Sequence, residues 1–464
     1  MKNGSRAKCL HNLIYPADHG TRALLEEKWA ALPEALRNDH QMYGRNEEGC
    51  GATIGLMPRC DFACRGCYLG DDANRTPADS LENIKHQMRE LREYLGKWGN
   101  LQLTDGEITL RSEEEIVEIL RYAREVELIP MIMTHGETFL RNPELLVRLI
   151  RHGGLREVSF HIDTTQRGRR DRAYRYAETE KELMPLRDEF ADLIRRVNAE
   201  TGVRLRAAST VTVDQKNLGE VSDIVEWTVR NSDAFRMISF QPMAQVGRTE
   251  DGSGDHVSAE ALWANIEQGL GGSGFPDQEQ SDRSHWWMGH PACSRFIFGY
   301  AYVPDRGAPT YRRFSLAANK TDKKLLGAFY KRWPGVTFRA DSRPEAICRF
   351  LGMCIRAPFY MIVQIPVYLL RLLWNIDRNR PLRTMVKLFT KKSGLHRLTI
   401  ASHHFMSRRQ LETELGQERV KHCVFRVAHQ NRMVSMCEFN AMGGREKYYD
   451  ALSLQPKTSP SPST

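Results

Sequence analysis

The chain has 464 residues and a formal net charge of +9, long enough for two or three domains and more than one sizeable core, so a globular protein is expected. The positive balance points to contact with something anionic, whether nucleic acid, phospholipid headgroups or a phosphorylated substrate. Ten cysteines in a chain this long do not read as an extracellular disulfide scaffold. The start, MKNGSRAKCLHN, is basic with no apolar region following it, so the expected compartment is the reducing cytoplasm, where thiols are free to bind metals.

Residues 1–50 read as an N-terminal lead with a charged helix over 23–35. From Ala52 a repeating order sets in. The segment GATIGLM precedes a cysteine-rich loop, and Ser80 then caps a helix to Leu95 with apolar positions at Leu81, Ile84, Met88, Leu91 and Leu95. There follow LQLT, a helix near 113–125, LIPMIMT, a helix near 143–152, EVSFHID, a helix over 180–201, RLRAASTVTV, a helix over 218–231, and FRMISFQPM. Short apolar segments alternating with amphipathic ones predict an α/β fold with a parallel sheet, and six such units over 51–250 favour a partial TIM-like (β/α)6 barrel over an open doubly wound sheet. Ligands of such folds sit at the carboxyl ends of the strands. That rule gathers the cysteine loop, Thr104 to Glu107, His161 to Asp163, Thr210 to Thr212 and Gln241 to Pro242 on one rim.

A glycine-rich stretch, 251–284, reads as a linker or mobile loop, 285–450 as a second and less regular domain, and the Ser/Pro-rich tail 451–464 as disordered. Within the second domain, PFYMIVQIPVYLLRLLWNI at 358–376 has enough apolar length to approach a bilayer core, but Pro366 and Arg371 interrupt it. Two readings stand: a buried helix, or an interfacial one flanked by Arg349, Arg356, Arg378, Arg380 and Arg383.

Cys60, Cys64 and Cys67 follow C-x3-C-x2-C. Three thiolates on a short loop hold three irons of a cubane and leave the fourth iron open to a small molecule. Zinc is the competing occupant, but it usually takes four protein ligands. No Walker A or dinucleotide-binding fingerprint occurs in the chain. Lysine and arginine are spread throughout without a helix-turn-helix or zinc-finger pattern, which disfavours nucleic acid as the partner.

The cysteine loop resembles the signature of the radical SAM superfamily, and Thr104-Asp-Gly-Glu107 stands where that superfamily has Gly-Gly-Glu-Pro, with Asp105 replacing the first glycine and Ile108 the proline. The succession LQLT-D-GE-ITLR, a strand ending at Asp163, VTV before Asn217, and FQPMAQVGR resembles the tetraether synthases and the related pterin-methylating enzymes. So do His290-Pro-Ala-Cys293, His404-Phe-Met406, Glu418-Arg-Val420, Cys423 and Cys437-Glu-Phe-Asn440.

This resemblance implies a [4Fe-4S] cluster with an open iron on Cys60, Cys64 and Cys67, S-adenosyl-L-methionine bound there, and a flavodoxin- or ferredoxin-like electron donor. It further implies Glu107 at the methionyl ammonium, with Thr104 and Gly106 beside it. His161 and Asp163 are expected near the ribose or the reacting carbon, Thr212 and Gln241 near the nucleoside, and Tyr68 near adenine. An auxiliary [4Fe-4S] cluster is expected on Cys293, Cys354, Cys423 and Cys437, with Cys348 competing for the fourth place. The function implied is hydrogen abstraction from a lipid or long alkyl chain, at the inner face of a membrane. The alternative is radical C-methylation of a pterin-like molecule.

Overall fold

The structure, a computed structural model, describes residues 19–249, 257–271, 285–304, 307–313, 320–333, 343–376 and 394–454. Cys9, the tail beyond residue 454, most of the linker 251–284, and Arg378, Arg380 and Arg383 lie outside the described residues.

Helix α1 (His19–Ala30) starts and ends earlier than expected, because Leu32 stands before Pro33, whose ring disfavours helical backbone in the preceding residue. The strand and helix alternation then runs as expected: β1 (Cys50–Ala52), α2 (Leu81–Leu95), β2 (Asn100–Leu103), α3 (Glu113–Glu125), β3 (Ile129–Thr134), α4 (Pro143–His152), β4 (Glu157–His161), α5 (Met184–Thr201), β5 (Arg206–Val213), α6 (Val221–Arg230) and β6 (Phe235–Pro242). Helix α2 illustrates why these segments fold locally. The Ser80 hydroxyl accepts from the Asn83 N–H, Ile84, Met88, Leu91 and Leu95 fall on one buried face, and Gly96 at φ 73° ends the helix.

Helix α5 begins four residues after the expected Glu180. Glu180 is held outside the helix by a buried network, in which its carboxylate accepts from the Thr164 N–H and hydroxyl at 2.9 Å, from Asn217 Nδ2 at 2.8 Å and from Arg187 Nη2 at 2.5 Å.

The rest of the chain does not stay apart from this unit. After α7 (Ala259–Gly269), it supplies β7 (Trp286–Trp287), β8 (Ser294–Tyr302), β9 (Thr310–Arg313), β10 (Leu395–His403), β11 (Phe425–His429) and β12 (Arg432–Ser435), all in the same sheet. The strand order is β12-β11-β1-β2-β3-β4-β5-β6-β10-β8-β7, with β9 on β8. From β11 through β10 every neighbouring pair is parallel, so β10 and β11 extend the six expected strands at both edges. The outermost strands are antiparallel and cover edges that would otherwise expose unpaired backbone.

The N-terminal lead also bridges the two edges. Gln41 pairs with Trp287 and exchanges side-chain hydrogen bonds with the Gly289 backbone at 2.8 and 2.9 Å, while Met42 joins Met288, Phe296 and Val424 in one apolar cluster. The result is a partial barrel wrapped by helices, with a C-terminal helical, cysteine-bearing region. Helices α6 and α7 cover its outer face at Val211, Ile238, Ile297 and Ile400, whereas Phe296, Phe298 and Met237 point inward.

Four more helical segments lie between β9 and β10: α8 (Lys320–Arg332), α9 (Arg343–Arg356), a π-helical turn (Phe359–Gln364) and α10 (Ile365–Ile376). They share a small core of Leu325, Trp333, Met353, Tyr360 and Met361. Their root is Leu372 and Leu373, packed on Leu395, Tyr300 and Tyr302. By strand alternation these tyrosines share the inward face of Phe296 and Phe298.

Breaking the Glu180 network tests how far the core depends on it. Arg187→Met leaves the Glu180 charge buried without its counterion, and a loss of about 3 to 5 kcal/mol is expected, read as a lower urea midpoint; Glu180→Gln combined with Arg187→Met recovers part of it.

Candidate active site

The cysteine loop runs over the carboxyl ends of the central strands and is pinned there by backbone contacts. Met57 N–H donates to Asp105 O at 3.1 Å, Glu107 N–H to Arg59 O at 2.9 Å, Ala63 N–H to Arg167 O at 2.6 Å and Arg65 N–H to Thr165 O at 2.9 Å. Gly106, at φ 92°, lets the loop come this close, since a Cβ there would lie 1.7 Å from Met57 O. Phe62 lies buried beneath the loop, stacked on His135 with ring centroids 3.8 Å apart and under the Arg169 guanidinium at 5.0 Å.

The Cys60 sulfur meets a backbone N–H. Phe62 N–H donates to Cys60 Sγ at 3.4 Å, and the backbone at Arg167 and Leu69 favours the thiolates of Cys64 and Cys67. Burial nevertheless dominates: it pushes the Cys60 thiol up to about 12 and raises Cys64 and Cys67. The charges of Cys67 and Cys60 raise Cys64 further. Thiols raised by burial on one short loop are a donor set that a metal cofactor would convert to thiolates on binding.

Glu107, expected at the substrate ammonium, is buried and fully engaged. Its carboxylate accepts from Thr109 Oγ1 at 2.7 Å, Thr134 Oγ1 at 2.8 Å and the His135 N–H at 3.1 Å, so an incoming ammonium reaches it only by displacing one of these donors. His135 was absent from the residues expected at the site. It directly follows β3 at the same rim, so the strand-end rule that selected His161 would have selected it too. Its Nε2 lies 2.8 Å from Asp61 Oδ1 and 3.2 Å from Glu107 Oε2, and the ligand atoms of Cys60, Asp61 and His135 all fall within 4.8 Å of one another. The hydrogen bond from His135 holds the Asp61 carboxyl below its usual range.

On the next strands, Asp163 is also committed. It accepts from His161 Nε2 at 2.7 Å, the Thr212 N–H at 2.7 Å and the Thr165 N–H at 2.9 Å. Burial alone would raise this carboxyl, but His161 and the two threonines outweigh it and hold it near 2. His161, a third exposed, remains open to the site, and Thr212 Oγ1 sits 3.0 Å from its Nε2. Gln241 lies opposite Thr212 in the β5 and β6 register. Tyr68 donates to or accepts from Thr104 Oγ1 at 2.9 Å and packs with Cys437 and Met406.

Sequence reasoning also missed Arg445, on helix α11 (Gly444–Leu454). Its buried guanidinium pairs with Asp105, donates to Asn440 Oδ1 at 2.8 Å and lies 4.6 Å from the Tyr68 ring centre. Asp105, the residue standing for a glycine, has φ 93°, a conformation costly for a residue with a Cβ. Arg445, the Tyr449 hydroxyl at 2.8 Å and the Gly55 N–H hold it there.

Among the other cysteines, Cys293, Cys423 and Cys437 come together. Burial raises Cys437 most, and the charges of Cys423 and Cys293 add to it. Burial likewise raises Cys293, against the neighbouring Arg419, whose Nε donates to its sulfur at 3.3 Å. Cys354 does not join them: it sits on α9 against the separate core of Leu325, Trp333 and Tyr360, raised by burial alone. Cys348 is disulfide-bonded. The expected fourth ligand is therefore brought to the set at neither position, because α9 belongs to the helical region rooted at the start of β10, away from Cys293 and His404.

Residues 54–204 match the Radical SAM superfamily. That match makes residues 54–204 a radical SAM domain. A curated relative, the 7,8-dihydro-6-hydroxymethylpterin dimethyltransferase of Methanocaldococcus jannaschii, is 25% identical over 201 residues, 43% of this chain and 37% of the relative. The chain thus spans little more than a third of that protein's length. Among solved structures, methylornithine synthase (PylB) aligns with a TM-score of 0.32 and 14% identity over 57% of this chain and 73% of its own. A xylose isomerase-like TIM barrel protein from Mycobacterium smegmatis aligns at 0.29 and 13%, over 68% and 96%.

If Arg445 is what holds the radical SAM loop's strand end in place, Arg445→Met should destabilise the protein by about 3 to 5 kcal/mol through the stranded Asp105 charge. Adding Asp105→Gly, which suits the positive φ, should restore much of this, giving a coupling of about 1 to 3 kcal/mol in a double-mutant cycle of urea unfolding.

Proposed function

We propose that this enzyme binds a [4Fe-4S] cluster through Cys60, Cys64 and Cys67, takes S-adenosyl-L-methionine at the open iron, and abstracts hydrogen from a lipid or long alkyl chain, leading to C–C bond formation or alkyl modification. The observation that carries the cofactor assignment is the set of three half-buried thiols on one short loop that backbone hydrogen bonds pin over the strand ends. When bound, such a cluster, reduced by a flavodoxin- or ferredoxin-like donor, supplies the one-electron cleavage that yields a carbon radical.

The chain's own residues hold and shield. Phe62 and Arg169 fill the space under the loop and keep water from it. Thr104 and Tyr68 fix the loop's exit, Gly106 would offer its backbone to S-adenosyl-L-methionine beside the loop, and His161 faces the reacting region with its tautomer set by Asp163. Glu107, through Thr134 and His135, positions the rim, and Thr212 and Gln241 flank a nucleoside. Cys293, Cys423 and Cys437 would hold an auxiliary iron-sulfur cluster, which would supply an electron-transfer site or a place to hold an intermediate.

Support for an alkyl substrate is the aromatic inward face of β8 with the apolar helices rooted on it, and peripheral membrane contact fits the same helices. The second reading, radical C-methylation of a pterin-like molecule, is favoured by the activity for which the dimethyltransferase relative is named.

Alanine at Cys60, Cys64 or Cys67 should reduce 5'-deoxyadenosine formation to background, and near-normal formation by all three variants would sink the cofactor assignment. Cys437→Ser should remove about half of the bound iron if two cubanes are present, while uncoupled 5'-deoxyadenosine formation continues. Anaerobic turnover of a total lipid extract and of a pterin in parallel, read by mass spectrometry, decides the substrate: a modified pterin with unchanged lipid overturns the alkyl reading.

A further inference from the structure

Ten of the fifteen exposed large apolar side chains among the described residues fall between Ile347 and Trp374. They form one stripe on each of two helical segments. Ile347, Leu351 and Ile355 recur at four-residue spacing on α9, while Phe359, Ile362 and Val363 open the stripe that continues through Val367 and Leu370 to Trp374. The opposite faces are already used: Met353, Tyr360 and Met361 build the local core, and Leu372 and Leu373 root α10 on the sheet. Each segment is therefore apolar on two sides, one of them turned to solvent.

No single helix among the described residues is long and apolar enough to cross a membrane, and the pair Ile347–Arg356 and Phe359–Trp374 is bent by 115°. The charges have one sign. Residues 346–376 contain Arg349, Arg356 and Arg371 and no Asp or Glu, and the next seventeen residues add six Lys or Arg against one acid. A protein partner has no need of a single sign of charge, whereas an anionic leaflet attracts it at every position along its surface.

We propose that the outer faces of this bent pair insert into one leaflet of an anionic phospholipid membrane, as a monotopic attachment that does not cross it. The exposed side chains enter the acyl region, and Arg356 and Arg371 extend their aliphatic stems along it with the guanidinium groups at phosphate level. This deepens the peripheral contact proposed above by giving it a site, and it holds whichever molecule is turned over. The attachment enters the barrel at the start of β10, whereas Cys293 and His404 adjoin that strand's far end.

The test is flotation of the full-length, cluster-loaded protein with vesicles of phosphatidylcholine alone and of phosphatidylcholine with phosphatidylglycerol. The anionic vesicles should carry the protein up. Ile362→Asp and Val367→Asp, both at exposed positions, should each lower the bound fraction at least tenfold, equivalent to about 1.4 kcal/mol, with 5'-deoxyadenosine formation unchanged. Lipids brominated in the acyl chain should quench a fluorescence component that Trp374→Phe removes. Equal flotation of wild type and both Asp variants, no flotation on either vesicle, or a wild-type dimer that the Asp variants convert to monomer would each overturn the proposal, the last by identifying the face as a contact between copies. Vesicle binding without any lipid turnover supports the attachment and counts only against the alkyl substrate. Loss of flotation in a variant that still turns over detergent-dispersed lipid supports both.

Discussion

A single buried guanidinium holds together parts of the chain that are far apart in sequence. Arg445 reaches from the last described helix to Asp105 at the end of β2, stacks over Tyr68 next to the third loop cysteine, and binds Asn440 on the helix that carries Cys437. Burying an arginine is costly unless its charge is matched and its donors are used, and here the match is an aspartate in a strained backbone conformation. Each side of the contact is thus unfavourable alone and stable only with the other. The cysteine loop and the cysteine-bearing C-terminal helix consequently take up their positions together.

The same dependence appears in the sheet. Six parallel strands would leave two open edges, and the C-terminal half fills both, β10 against β6 and β11 against β1. Gln41 and Met42 close the remaining gap between β7 and Val424. With the two edges drawn toward each other, Cys293, which precedes β8, comes near enough to Cys423, which precedes β11, to feel its charge. Their proximity is a consequence of barrel closure and could not arise from a C-terminal region folding by itself.

Electrostatics at the rim separates residues that hold from residues that remain free to act. Asp163 and Glu107 have their oxygens occupied by threonines, histidines and backbone, and the low protonation range of Asp163 follows from that occupation. A carboxylate surrounded by donors inside the protein is a rigid support. His161 keeps part of its ring exposed, and the loop thiols, raised by burial, are the groups whose charge state a metal would change most.

Local features of the sequence were enough to determine the alternation of strands and helices, the caps, the three-cysteine loop and the rim to which it belongs, because each depends on periodicity or on a few adjacent residues. The same strand-end rule reached His135 as well, had it been applied to β3. Arg445 gave no such signal: a lone arginine in a C-terminal helix reads as surface charge, and its partner lies 340 residues away. The grouping of Cys293, Cys423 and Cys437 without Cys354 likewise required the fold, since sequence spacing says nothing about which sheet edge a later strand will join. The apolar segment 358–376 was legible as apolar, but only tertiary packing separated the side that builds a core from the side left facing outward, because both sides carry the same kinds of residue.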